Sequence, residues 1–317
     1  MNTKIVYVLT SNENDNYLEQ AVLSVYSARI YNPTAQITLV VDSETNLSLK
    51  GSRALIKEYI SEIISIELPS DLSNMQKSRY LKTKLRDIVI GDFLFIDTDT
   101  IIAEDLSEID DWTLDIGGVA DAHLPIRDHI RKDRIVKIAK LIGWVIPKND
   151  IYINGGVLFV KDSPVAHKLF EEWHRLWIKY SKEYKLYIDM PPLAKANENC
   201  GYPITEISGI YNCQIIENGL KYLYDAKIIH YFASNMGRYD CPYLFRDNNL
   251  YEIIKRYGIT EEIHQLLQKP KSAFIAKCTI IGGNQCDIYK TPIAGIARRL
   301  SLKLPRLNKW LERFIKI

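Results

Sequence analysis

The run Phe93-Leu94-Phe95-Ile96-Asp97-Thr98-Asp99 sets two carboxylates one residue apart behind four apolar residues. In an extended backbone alternate side chains share a face, so Asp97 and Asp99 are expected to point the same way, with Thr98 opposite. Two such carboxylates repel each other unless a cation lies between them. Hard divalent ions such as Mn²⁺ or Mg²⁺ prefer oxygen donors and keep room for phosphate oxygens. A second block is Tyr152-Ile153-Asn154-Gly155-Gly156-Val157. Its glycines permit close backbone approach to a ligand, and the Asn154 amide can both donate and accept. A third is Ile228-Ile229-His230-Tyr231-Phe232, where a histidine ends an apolar strand. His230 would add one nitrogen to the two carboxylates, a fitting shell for Mn²⁺. His167, His174 and His264 lie on helical patterns and read as structural. His123, after Asp121 at a strand end, is left open between the two roles.

The elements that must position these groups alternate. Lys4–Leu9 reads as a strand and Tyr17–Tyr31 as a helix, with Ala21, Val22, Val25 and Ala28 at helical spacing. Gln36–Val41 is a second strand, Arg53–Ile60 a helix, Ile63–Leu68 a third strand, Met75–Val89 a basic helix and Asp92–Ile96 a fourth strand. Beyond these come strand Ile116–Ala120, helix Arg127–Gly143, strand Tyr152–Val160, helices Pro164–Tyr184 and Asp189–Asn199, and strand Ile228–Phe232. Such alternation predicts an α/β protein with a mainly parallel central sheet flanked by helices. Ligands bind such sheets beyond the carboxyl ends of the strands, where Asp97 and Asp121 fall.

Composition narrows the function classes. The chain has 317 residues, 47% hydrophobic and 25% charged, enough apolar material for a sizeable core. No run approaches the ~18–20 apolar residues of a membrane span. The N-terminus shows no signal-peptide pattern. The five cysteines are scattered without a CxxC pair, which argues against a disulfide framework or a zinc knuckle and suits a reducing cytosol. The net charge of +2 hides an asymmetry: from Lys290 onward there are eight basic residues and one acid, +7, which leaves −5 on residues 1–289. Basic charge is thus a property of the tail, and no nucleic-acid footprint covers the body.

Together the three blocks resemble the GT-A-fold (nucleotide-diphospho-sugar transferase) glycosyltransferases, specifically the retaining family 8 type of galactosyl-, glucosyl- and glycogenin-like enzymes. The resemblance runs from about Lys4 to Phe232. It implies a metal site of Asp97, Asp99 and His230 and a donor-sugar contact at Asn154. It also implies a base and ribose site at Thr10-Ser11-Asn12, with Thr10 and Asn12 as contacts, and a nucleotide contact at Thr98. Ser78-Arg79-Tyr80-Leu81-Lys82 resembles the family's basic block near the nucleotide. Arg79 and Lys82 are three apart on a helix, hence on one face, where a forked donor and a point cation suit a diphosphate. Asp121 resembles an acid that contacts the donor sugar, and Asp189 the acid of the family's Asp-Gln pair. The implied activity is transfer of a hexose from UDP-glucose or UDP-galactose to a glycan or lipid-linked acceptor with retention, with Asp189, Asp121 and Asn154 as the catalytic set. Two departures stand out. Met190 replaces the glutamine and cannot supply its hydrogen bonds. After His230 the family's glycine and lysine are missing, so that Arg238 would have to take the lysine's place at the diphosphate. A nucleotidyltransferase, the first rival, would normally show a Gly-rich loop after the first strand, and Leu9-Thr10-Ser11-Asn12-Glu13 has none. A catalytically inactive nucleotide-sugar-binding module is the second.

The predicted organisation is a catalytic domain over residues 1–270 and a basic amphipathic helical tail over 271–317. At about 100° per residue, Ile293, Ile296, Ala297, Leu304, Leu307, Leu311, Phe314 and Ile315 share a stripe. Arg298, Arg306, Lys309, Arg313 and Lys316 lie opposite, Trp310 flanks them, and Pro305 is expected to split the tail into two helices. Such a segment reads as an interfacial anchor for an anionic membrane. With the resemblance, this implies a cytoplasmic enzyme of polysaccharide assembly, peripheral on the inner face of the cell membrane.

Overall fold

The computed structural model describes residues 1–232, 248–273 and 291–304. The chain divides into two units, residues 1–274 and 275–317. In the first unit, strand β1 (Lys4–Leu9) leads into helix α1 (Tyr17–Tyr31) and strand β2 (Ile37–Asp42). Asp42 then caps the short helix α2 (Ser43–Ser48), accepting from the backbone N–H groups of Glu44 and Thr45. A 3₁₀ segment over Gly51–Glu58 stands where a helix is expected, before strand β3 (Glu62–Ile66). The basic helix expected over 75–89 is two: α3 (Asn74–Thr83), opened by a capping box of Ser73 and Gln76, and α4 (Leu85–Ile88), with the break at Lys84. Strands β4 (Phe93–Ile96), β5 (Thr100–Ile102) and β6 (Ile116–Ala120) follow. Helix α5 (Lys132–Ile142) starts later than expected, after a 3₁₀ turn at Ile126–Asp128, and ends on the left-handed Gly143. The unit continues through β7 (Ile153–Val160), α6 (Pro164–Tyr184), α7 (Met190–Asn199), β8 (Ile204–Glu206), β9 (Cys213–Gln214), β10 (Ile228–His230), α8 (Asn248–Tyr257), α9 (Glu261–Leu267) and α10 (Pro270–Ala273).

Seven strands form the main sheet in the order β3-β2-β1-β4-β7-β6-β8. It is mainly parallel, as the alternation predicts; β7 runs antiparallel to both its neighbours, β4 and β6. One face is built from alternate residues of its strands: Val6, Val8, Phe93, Phe95, Leu158 and Val160 join Leu81 of α3 and Leu169, Phe170 and Trp173 of α6 in one buried cluster. A smaller sheet, β5-β10-β9, is formed by chain segments far apart in sequence. Its pairing matters most for function: β10 runs antiparallel to β5 with His230 opposite Thr100, directly after the two aspartates.

The described part of the second unit is helix α11 (Pro292–Lys303). Ile293 and Ile296 are exposed on it, as are Arg299 and Lys303. The second tail helix expected after Pro305 lies outside the described residues. Among those described, no helix is long and apolar enough to cross a membrane.

Candidate active site

The carboxyl ends of the strands surround a crevice of about 530 Å³. Asp97 and Asp99 lie on its wall, but not on an extended strand as expected. They occupy the turn that carries the chain from β4 in the main sheet to β5 in the smaller one. Asp97 N–H donates to Gly156 O at 2.7 Å and Thr100 Oγ1 donates to Asp97 O at 2.9 Å. The turn, not strand alternation, brings the carboxylates together. The β5–β10 pairing adds His230, so that one ligand atom from each of Asp97, Asp99 and His230 lies within 4.8 Å of the others. His230 Nε2 is 3.2 Å from Asp99 Oδ1, and Phe232 stacks on the imidazole with ring centroids 4.3 Å apart.

The electrostatics of this cluster suit a cation. Burial pushes the Asp97 carboxyl up, and the like charge of Asp99 adds to it, against the pull of Lys82. Burial works to lower the pKa of His230, but Asp99 and Asp97 outweigh it and raise it. Each group favours positive charge between the carboxylates. Two carboxylate oxygens and one imidazole nitrogen form the donor set that Mn²⁺ or Mg²⁺ accepts, with positions left for other oxygens.

Beside them is an ion cluster. Lys82 Nζ is 2.8 Å from Asp189 Oδ2 and 3.3 Å from Asp97 Oδ1, with its side chain 3% exposed. Arg79 Nε is 3.3 Å from Asp189 Oδ1. Burial alone would raise the Asp189 carboxyl, but Lys82 and Arg79 hold it well below the usual carboxylate range. A Cβ on Gly155 would stand 3.3 Å from Asp189 Oδ2 and 3.4 Å from Lys82 Nζ, so this glycine leaves the ion cluster its room.

Gly156 has a sharper role. A Cβ there would fall 2.3 Å from His230 Cε1. Both glycines line the crevice, as the expected room for a ligand requires, and at Gly156 the ring of His230 also approaches the backbone. Asn154 is buried, and its amide works inside the protein. Its Oδ1 accepts from Gly156 N–H at 2.9 Å and from Asn212 Nδ2 at 3.0 Å, while its Nδ2 donates to Asp121 Oδ1 at 2.8 Å. Asp121 is likewise committed. Its Oδ2 lies 3.0 Å from His129 Nε2 and 2.9 Å from Arg131 Nη2, and Arg131 also pairs with the buried Glu217 at 2.6 Å. Burial opposes ionisation of Asp121, but the His129 hydrogen bond and the Arg131 charge bring its pKa down to about 2.

Thr10, Thr98, Arg79, Lys82, Asp121, Asn154 and Asp189 all border the crevice with the three candidate ligands, and so does Met190 in place of the expected glutamine. Thr10 Oγ1 donates to Asn74 O at 2.9 Å. Asn12 is exposed and does not line the crevice; its Oδ1 accepts from Asn14 N–H. Arg238 and the rest of the block after Phe232 lie outside the described residues. His123, the open case, is structural: its Nε2 accepts from Gln214 N–H at 3.1 Å, and burial, helped by the Lys221 charge, brings its pKa down to about 4. His174 is also held by the protein, with Nδ1 2.8 Å from Thr83 Oγ1. Sequence reasoning missed Tyr17, Gln20, Arg131 and Arg134 on the crevice wall and Asn212 behind it. None sits in a recognisable motif, and they meet the site only through the tertiary fold.

No family model matches the chain, and no curated protein matches it. Solved structures do. Mouse xyloside xylosyltransferase 1 in its apo form has 14% identity and a TM-score of 0.50, covering 73% of this chain and 98% of that one. The bifunctional glycosyltransferase WbbM has 16% identity and a TM-score of 0.51, with 73% of this chain covered. The glycosyltransferase GlyE of Streptococcus pneumoniae has 14% identity and a TM-score of 0.52, with 84% covered. The chain spans 45% of WbbM and 64% of GlyE, less than two thirds of either. At these identities the likeness is one of architecture: the chain has the GT-A fold of glycosyltransferases.

Proposed function

We propose that the protein is a metal-dependent glycosyltransferase that moves a hexose from a UDP-sugar to a glycan or lipid-linked acceptor, with retention at the anomeric carbon. The observation that carries this reading is the meeting of Asp97, Asp99 and His230, from two distant stretches of chain, on the wall of a crevice of about 530 Å³. A divalent ion held there would neutralise charge on the departing nucleoside diphosphate. Arg79, whose side chain is 30% exposed, presents its guanidinium to the same diphosphate. Thr10 and Thr98 border the nucleotide end. Lys82 and Arg79 keep Asp189 ionised, so that it can accept from donor-sugar hydroxyls. Asn154 offers them its remaining N–H, held in place by Asp121.

In the transfer, the bond from the anomeric carbon to the diphosphate oxygen breaks, and a bond to the acceptor oxygen forms as its hydroxyl proton passes to the departing diphosphate. Asp189 is clamped by two cations, Asp121 by His129, Arg131 and Asn154, and Met190 has no nucleophilic oxygen. These commitments support same-face attack over a covalent enzyme intermediate. The exposed Ile293 and Ile296 beside Arg299 and Lys303 support peripheral contact with an anionic membrane; a cytoplasmic location is part of the same proposal.

The test is a panel of nucleotide sugars with Mn²⁺, following nucleoside diphosphate release and the product anomer by NMR. An α-linked product from an α-linked donor is expected. No turnover of any nucleotide sugar would refute the reading, and Mn²⁺-dependent UDP binding without turnover would favour an inactive binding module.

A further inference from the structure

A chain of four polar side chains runs from the main sheet to the back of His230, and its hydrogen atoms follow from its fixed ends. The backbone N–H of Gly156 can only donate, so the Asn154 atom 2.9 Å from it is the carbonyl oxygen. At the other side of the same amide, the ionised Asp121 can only accept, which places Asn154 Nδ2 there at 2.8 Å. Both neighbours demand the same orientation. The Asn212 atom 3.0 Å from Asn154 Oδ1 must then be a donor, its Nδ2. That turns Asn212 Oδ1 toward His230 Nδ1, 2.9 Å away, and the ring nitrogen must carry the hydrogen. With Nδ1 protonated, Nε2 faces Asp99 Oδ1 at 3.2 Å, and a cation that displaces the proton shared there would meet the lone pair of Nε2.

Every member of this chain is buried; Asn212 is 0%, His230 2% and Asn154 3% exposed. Water is therefore kept from substituting for a lost partner. The contact from the other side is steric: Gly156 leaves no room beyond a hydrogen atom, and Phe232 covers a ring face. Gly156 and Phe232 limit where the imidazole can lie, but neither selects a tautomer. Asn212 is the group that does.

We propose that Asn212 is the positioning residue of the metal centre, fixing His230 in the tautomer and rotation that turn Nε2 toward a divalent cation. It rests on the reading of Asp97, Asp99 and His230 as ligands. Partners of this kind behind a ligating histidine are worth about 10–100-fold in metal affinity. Asn212 itself touches neither substrate nor ion, so its effect must pass through His230.

That dependence supplies the experiment. Mn²⁺ binding to the full chain, without nucleotide or acceptor, is measured by electron paramagnetic resonance for the wild type, Asn212→Leu, His230→Ala and the double variant, with thermal melts as a fold check. Asn212→Leu is expected to weaken Mn²⁺ binding about 10–100-fold when His230 is present, and less than about twofold when His230 is already alanine. Equal losses in both backgrounds would show a general structural role and overturn the assignment, as would wild-type affinity in Asn212→Leu. Should Asn212→Leu fail to fold, Asn212→Asp decides. Its carboxylate still accepts from Nδ1–H although it no longer donates to Asn154 Oδ1, so Mn²⁺ affinity should fall less than in His230→Ala; a loss as large as that of His230→Ala would overturn the proposal. Failure of the underlying reading has a different mark: the wild type itself would take up no Mn²⁺ at millimolar concentration, and this assignment would fall with it.

Discussion

Replacing Lys82 by methionine removes a buried charge while keeping the length and most of the volume of the side chain. Its ammonium is 2.8 Å from Asp189 and 3.3 Å from Asp97, and it also lies 4.8 Å from the centroid of the Phe95 ring. At an effective dielectric constant of about 20, those two separations correspond to roughly 6 and 5 kcal/mol of attraction. Burying the ammonium cancels several kcal/mol of this, and Arg79 remains to share Asp189 in the variant. Breaking a buried pair by removing one partner costs about 3–5 kcal/mol, and with Arg79 still present the lower end applies, about 3 kcal/mol. The assay is urea unfolding of the metal-free chain at pH 7, where the midpoint should fall with little change in slope. A second signature comes from pH. The folded-state pKa of Asp189 is depressed, so its stabilisation is present above the unfolded-state pKa of about 4 and is lost as pH falls toward the folded-state pKa. Without Lys82 there is less depression to lose, so the deficit of the variant should shrink as pH falls below about 4. A loss under about 1 kcal/mol at pH 7 would refute the reasoning, because it would mean that Lys82 is solvated and not a buried counter-ion.

Gly156→Ala places a methyl carbon 2.3 Å from His230 Cε1, so the ring must swing away; Mn²⁺ affinity should fall at least tenfold, and unchanged affinity would show that the ring can shift without losing its place. His123 has a folded-state pKa near 4 and an unfolded value near 6.5, so the unfolded chain takes up the proton first as pH falls. On this account alone stability should drop by about 1–2 kcal/mol between pH 7 and pH 5, and His123→Gln should remove that share of the urea-midpoint slope, leaving the share of His174, which burial also brings down to about 4. Truncation after Gln285 removes the basic segment and should move the protein from the membrane to the soluble fraction, whereas unchanged fractionation would reject the anchor.

Much of the frame was legible because its periodicities are local. β1, α1, β6 and α6 have the ends that their apolar spacing predicts. The expected helix over 75–89 breaks at Lys84, whose φ of −98° and ψ of 0° leave the helical range, and apolar spacing carries no signal of such a break; both α3 and α4 pack against α6. The three candidate ligands could be named since Asp97 and Asp99 follow one apolar strand and His230 ends another, yet the reason for their convergence lies elsewhere. A period of two suggested a shared face for Asp97 and Asp99, whereas the turn from one sheet into another does the work. Asn212 and Glu217 were invisible for a different reason. A buried amide or carboxylate is recognised by its partners, and those partners, Asn154, His230 and Arg131, lie 58, 18 and 86 residues away.

The most direct measurement is calorimetric titration of the full chain with UDP, once with saturating Mn²⁺ and once with EDTA. If Asp97, Asp99 and His230 join one ion to the diphosphate, UDP should bind at least a hundredfold more tightly with the metal, and Asp99→Asn should erase most of that difference. Equal UDP affinity in Mn²⁺ and in EDTA would contradict the account.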